Sequence, residues 1–216
     1  MEKAMPVQAV IWDFGGVITA SPFEAFNRYE AERGLPKDLI RRVNAADPNT
    51  NAWAQFEQSR IDAAGFDRLY LAESTALGHP VSGADILPLL HGVVRPRMVA
   101  ALRACKRRFK VGCITNNMAW EGRPARPPEM AEAMALFDVV IESALAGVRK
   151  PDPKIYLTMC EALAVAPQDC VYLDDLGVNC KPAAQLGMRA IKVLNEDQAL
   201  EDLSRAVGFD LLEEPA

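Results

Sequence analysis

The chain has 216 residues, half of them apolar and a quarter charged, which is ordinary globular usage and excludes a disordered polypeptide. That length suits one domain, or one domain carrying an insertion, with a core that needs no staples. A net charge of −5 argues against a binder of the nucleic-acid backbone, no apolar run reaches the length of a membrane span, and five cysteines without a CxxC pair exclude a zinc site or a disulfide scaffold.

The first apolar run, residues 7–14, is nearly continuous, the pattern of a strand buried on both faces, with Trp12 in its core. Residues 19–92, about 75 in all, carry no comparable run and read as four or five helices. Ser21-Pro22-Phe23-Glu24 has the form of a capping box, in which the Ser21 hydroxyl and the Glu24 carboxylate each satisfy a free amide. That helix should end at Gly34, with Pro36 beyond it. Further helices are expected over 37–46, 52–59, 62–77 and 84–91, sharing a core of Trp53, Phe56, Phe66 and Tyr70. His79 and His91 are too scattered there to form a metal site. The basic run 103–110 falls at a predicted helix end, where cations complement the helix dipole, and lacks the aromatic interleaving of a nucleic-acid binder.

A second strand is predicted over 110–116, followed by an irregular proline-rich loop at 122–129 with Trp120 and Arg123 as candidate substrate contacts. Three more strands are predicted over 138–143, 170–175 and 189–194. Between them one helix opens at Asp152-Pro153, with Asp152 as N-cap and Ile155, Tyr156, Met159 and Leu163 on one face. Another covers 179–186 and stops at Gly187, a left-handed cap. Residues 195–216 hold seven acids and one base and read as a solvated tail. The alternation predicts an α/β fold, a doubly wound parallel Rossmann-like core (1–18 and 93–216) with a helical cap (19–92) inserted after the first strand, over the strand ends where ligands of such sheets bind.

Polar residues gather where the apolar strands stop: Asp13 after the first, Thr115-Asn116-Asn117 after the second, Asp174-Asp175 after the fourth, and Lys150 after the third. In a parallel sheet all of these lie at one edge. Three carboxylates against one ammonium leave a local charge of about −2, which calls for a cation; hard oxygen donors without His or Cys suit Mg²⁺. A carboxylate beside Mg²⁺ can attack phosphorus, while the Thr115 hydroxyl, a backbone N–H near Asn116 and the Lys150 ammonium hold the phosphoryl oxygens.

These segments, VIWDFGGVI, CITNN, VRKPDP and VYLDDLGVN, resemble in order the four motifs of the haloacid dehalogenase (HAD) superfamily of hydrolases, and the resemblance spans most of the chain. The run from 142 to 188 is similar to the subgroup containing the phosphatase-like amino-terminal domain of soluble epoxide hydrolase. The resemblance implies that Asp13 is nucleophile and metal ligand, that the Gly15 carbonyl and Asp175 complete the metal site with Asp174 beside them, and that Thr115 and Lys150 bind phosphate. Asn179 stands where many relatives carry a second acid, and is expected to position rather than ligate. One departure matters: active phosphatases of the superfamily usually carry an Asp two residues after the nucleophile as general acid and base, and here that position is Gly15.

The expectation is therefore a Mg²⁺-dependent phosphatase acting on a small phosphorylated metabolite. The alternatives are a catalytically weak phosphometabolite-binding or interaction protein and, less favoured, a metal-free dehalogenase. The opening MEKAMPVQAV lacks the blocks of a signal peptide, so a cytoplasmic protein with reduced thiols, monomeric or homodimeric, is expected.

Overall fold

A computed structural model of the chain describes residues 7–90, 92–117 and 125–211; His91, Trp120 and Arg123 lie outside them. Five strands, β1 (Ala9–Trp12), β2 (Lys110–Thr115), β3 (Val139–Glu142), β4 (Cys170–Asp174) and β5 (Arg189–Lys192), pair in parallel in the order β3-β2-β1-β4-β5. The chain leaves β1 toward β2 and leaves β4 toward β5, so the winding reverses between β1 and β4. A crevice opens at the carboxyl ends of such a pair, and ligands of doubly wound sheets bind there.

Between β1 and β2 the chain forms α1 (Pro22–Glu32), α2 (Leu39–Ala45), α3 (Ala52–Glu57), α4 (Ala63–Ala76) and α5 (Gly83–Ile86), then a 3-10 turn at Leu87–Leu90. These helices start where the side chains make them start: Asn51 Oδ1 accepts the Ala54 N–H at 2.8 Å and Asp62 Oδ1 accepts that of Gly65 at 2.7 Å, each cap contributing about 1 kcal/mol. They bury a cluster of their own: Phe56, Phe66 and Tyr70 lie inside as the sequence predicts, joined by Phe26 and Ile40, while Trp53 is only partly buried against it. The entering and leaving segments meet in an antiparallel bridge, Thr19 with Val94.

The remaining helices, α6 (Pro96–Lys106), α7 (Pro128–Met134), α8 (Ser143–Ala146), α9 (Pro153–Leu163), α10 (Gly177–Gln185) and α11 (Glu196–Val207), accompany the sheet. Alternation along each strand divides them. Val10, Trp12, Val111 and Leu173 pack with Met98 and Leu102 of α6 and Leu200 and Leu203 of α11, while Ile11, Ile114 and Tyr172 pack with Ile155, Tyr156 and Met159 of α9 and Ala183 of α10. Asp152 caps α9 as predicted, and Gly187 takes φ +97° just past α10.

Two expectations need correction. Residues 196–207 are not a solvated tail but a helix: Asp197 and Glu201 face water, and Ala199, Leu200 and Leu203 are buried against the sheet. Ser21 precedes α1 but makes no side-chain cap; its hydroxyl goes elsewhere, as described below. Among the described residues no helix is long and apolar enough to cross a membrane.

Candidate active site

Asp13 is the first residue beyond β1, and its N–H donates to the Leu173 carbonyl of β4 at 2.8 Å, which sets it beside Asp174 at the winding reversal. On the other side, the pairing of Trp12 with Cys113 carries Thr115, buried at the end of β2, to the same edge. The turn after Asp13 is pressed against the end of β4. Gly16 has φ +77°, and a Cβ there would lie 2.2 Å from Asp175 Oδ2, so any other residue would strain the turn and displace that carboxylate. Gly15 is the opposite case, since a Cβ on it would meet nothing within 4 Å.

Lys150 enters from the loop between α8 and α9. It is 1% exposed, with its ammonium 2.9 Å from Asp13 Oδ1 and 2.7 Å from Asp174 Oδ2. Its backbone is held by the side-chain amide of Asn116, which donates to the Lys150 carbonyl at 3.0 Å and accepts the Lys150 N–H at 2.9 Å. Asn117 ties the end of β2 to the end of β3, donating to Glu142 Oε1 at 2.9 Å and accepting the Ala144 N–H at 3.2 Å.

The two adjacent acids of β4 differ sharply in surroundings. Asp174 is fully buried and accepts from Lys150, from the Tyr172 hydroxyl at 2.5 Å, from the Leu176 N–H at 2.8 Å and from the Asn179 amide at 3.0 and 3.1 Å. Asp175 is half-buried and accepts from the Ser21 hydroxyl at 3.3 Å, which is where the expected cap went.

Electrostatics show a cluster short of positive charge. Burial pushes the Asp13 carboxyl well above the usual range; Lys150 opposes this, and Asp174 and Asp175 reinforce it. Burial, then Asp174, push Asp175 up to about 6. Burial alone would lower Lys150, but Asp13 and Asp174 outweigh it and hold the ammonium above its ordinary value. Asp13, Asp174 and Asp175 each bring an oxygen within 4.8 Å of the others. An all-oxygen donor set with excess negative charge fits Mg²⁺.

A sequence profile of the haloacid dehalogenase-like hydrolases matches residues 7–187. The chain belongs to that family. Among HAD relatives, bifunctional epoxide hydrolase 2 of Sus scrofa is 30% identical over 229 residues, covering 98% of this chain and 41% of the relative, so the chain spans less than half the length of that protein. Phosphatase MT3486 of Mycobacterium tuberculosis is 30% identical over 220 residues and matches nearly end to end, 93% of this chain and 94% of the relative. A HAD family enzyme from Bacteroides thetaiotaomicron, solved as a magnesium complex, superposes with a TM-score of 0.61 at 19% identity, over 89% of this chain and 96% of that one; this is a likeness of fold.

Residues outside the expected catalytic set also bear on the candidate site. The Arg149 guanidinium Nε lies 2.6 Å from Glu57 Oε2 at the end of α3, and the Ser143 hydroxyl donates to the Glu57 carbonyl at 2.8 Å, so the helical insert rests on the segment that delivers Lys150. Burial raises the Glu57 carboxyl while Arg149 opposes the shift. Tyr172 lies two residues before Asp174 on one strand, hence on the same face, the one sequence signal that could have joined them.

Proposed function

We propose that this HAD-like hydrolase is a Mg²⁺-dependent phosphatase acting on a small phosphomonoester. The observation that carries the reading is the gathering of Asp13, Asp174 and Asp175 at the winding reversal of the sheet, with the Lys150 ammonium paired to Asp13 and Asp174. Asp13, Asp175 and the Gly15 carbonyl would hold the metal. Asp174 is left to anchor Lys150, because its oxygens already take four donor groups. Bound Mg²⁺ supplies the charge that the cluster lacks and neutralises phosphoryl oxygens.

Lys150 and the Thr115 hydroxyl orient the phosphoryl group, with a backbone N–H near Asn116 as a third donor. An oxygen of Asp13 attacks phosphorus, the bond from phosphorus to the leaving oxygen breaks, and water then attacks the aspartyl-phosphate to release phosphate and restore the carboxylate. Helices α1 to α5 act as a cap that excludes water and selects the leaving group. A cytoplasmic setting suits the five free thiols, four of them buried.

Gly15 favours a second reading, a phosphometabolite-binding protein with little turnover, because the position has no side chain to protonate the leaving group. A panel of phosphomonoesters and a 2-haloacid, each with and without Mg²⁺, separates the possibilities. Metal-dependent phosphate release supports the phosphatase. Binding of Mg²⁺ with inorganic phosphate but no turnover supports the second reading, and chloride release without metal overturns both.

A further inference from the structure

The Asp174 carboxylate is fully buried and receives more donors than it needs to hold a lysine. Its Oδ2 takes Lys150 Nζ at 2.7 Å, the Tyr172 hydroxyl at 2.5 Å and Asn179 Nδ2 at 3.1 Å; Oδ1 takes the Leu176 N–H at 2.8 Å and Asn179 Nδ2 at 3.0 Å. The tyrosine and the lysine therefore compete for one oxygen. The same ammonium reaches Asp13 Oδ1 at 2.9 Å, so whatever weakens the hold of Asp174 leaves more of Lys150 for Asp13.

The Tyr172 ring is fixed independently of its hydroxyl. It is completely buried in the layer between the sheet, α9 and α10, and meets Tyr156 edge-on with centroids 5.3 Å apart. The Tyr156 hydroxyl in turn donates to the Asn179 carbonyl at 2.8 Å, which steadies the residue that supplies the amide to Asp174. Ring packing alone is served equally by phenylalanine; the hydroxyl is the part that reaches the site.

We infer that Tyr172 is a positioning residue: its hydroxyl, by occupying Asp174 Oδ2, sets how the Lys150 ammonium is shared between Asp174 and Asp13. The kinetic consequence rests on the phosphatase reading above. The geometric consequence does not. Without the hydroxyl, Asp174 Oδ2 gains a free lone pair and draws Lys150 away from Asp13.

Tyr172→Phe tests this through two readouts. The first is the side-chain ammonium resonance of Lys150 in ¹H–¹⁵N spectra, assigned with a Lys150→Arg variant. It should shift in Tyr172→Phe while the backbone amide spectrum away from Asp174 stays in place. An unchanged ammonium signal in a folded variant overturns the inference, whatever the protein's activity. The second is turnover of the best phosphomonoester. kcat should fall by about tenfold, as for other supporting groups around a site, with KM and the Mg²⁺ concentration for half-activation unchanged. A kcat within twofold of the parent, or a loss confined to KM, overturns the kinetic part. If the parent protein releases no phosphate from any ester, the phosphatase reading fails, and the spectrum alone decides the positioning role.

Discussion

At the scale of single residues, the two glycines after Asp13 have opposite tolerances. Gly16 combines φ +77° with a 2.2 Å approach of any added Cβ to Asp175 Oδ2. Gly16→Ala should therefore destabilise the fold by about 1–3 kcal/mol, the scale of a strained backbone position, and weaken Mg²⁺ binding because the displaced carboxylate is a proposed ligand. Thermal melts and a metal titration check both, and a variant indistinguishable from the parent would contradict the close contact. At Gly15 the space is open, so Gly15→Asp should fold and should raise phosphatase turnover by up to about 10²-fold if the missing acid limits the rate. Unchanged or slower turnover counts against that account. Neither difference is visible in the pair Gly15-Gly16 as letters. The polarity of Asp174-Asp175 is likewise plain in the sequence, whereas their division into a buried anchor and a half-buried acid depends on Lys150 and Ser21, which arrive from 24 and 154 residues away.

At the scale of elements, local signals were readable where local physics decides. The five strands lie within two residues of their apolar runs, and the caps at Asp152 and Gly187 hold because both are contacts within a turn. The Ser21 capping box failed because a hydroxyl beside a helix start has a tertiary competitor, Asp175. The acidic C-terminal stretch misled because its charge overshadowed the apolar positions Ala199, Leu200 and Leu203, spaced for one helix face. In the insert, Asp67 of α4 joins α5 by accepting the Ser82 hydroxyl at 2.6 Å and the Ala84 N–H at 3.0 Å. The Ser82 hydroxyl, then the Ala84 amide, hold its carboxyl below the usual range. A lowered acid stabilises the fold above its unfolded pKa, and that contribution disappears as pH falls through the folded value. Asp67→Asn should thus melt about 2 °C below the parent at pH 7, and the two melting curves should converge as pH falls below the ordinary carboxylate range. A difference independent of pH would assign the effect to packing instead.

At the scale of the whole molecule, the sheet and the insert were legible because buried strands and amphipathic helices leave periodic traces. Their contact, through Glu57, Arg149 and Ser143, was not, since no period links α3 to the segment before α9. The excess negative charge at the winding reversal has a global consequence. An acid raised to about 6, as Asp175 is, makes the metal-free protein lose stability as pH rises from the ordinary carboxylate range through 6. Mg²⁺ should offset that loss, by about 2.7 kcal/mol when present at a hundred times its dissociation constant. The melting temperature should rise with Mg²⁺ at pH 7.5 and rise much less at pH 5, where protons occupy the site; equal shifts at both pH values would exclude these carboxylates as the metal site.

Asp13 is proposed as the nucleophile of a metal-dependent phosphatase. The most direct test of that role is the rate of phosphate release from one turned-over ester by the parent protein and by Asp13→Asn, each with and without Mg²⁺. The parent should release phosphate only with Mg²⁺, and the variant should be slower by about 10³-fold or more while remaining folded. Release by Asp13→Asn at a rate near the parent's would contradict the account.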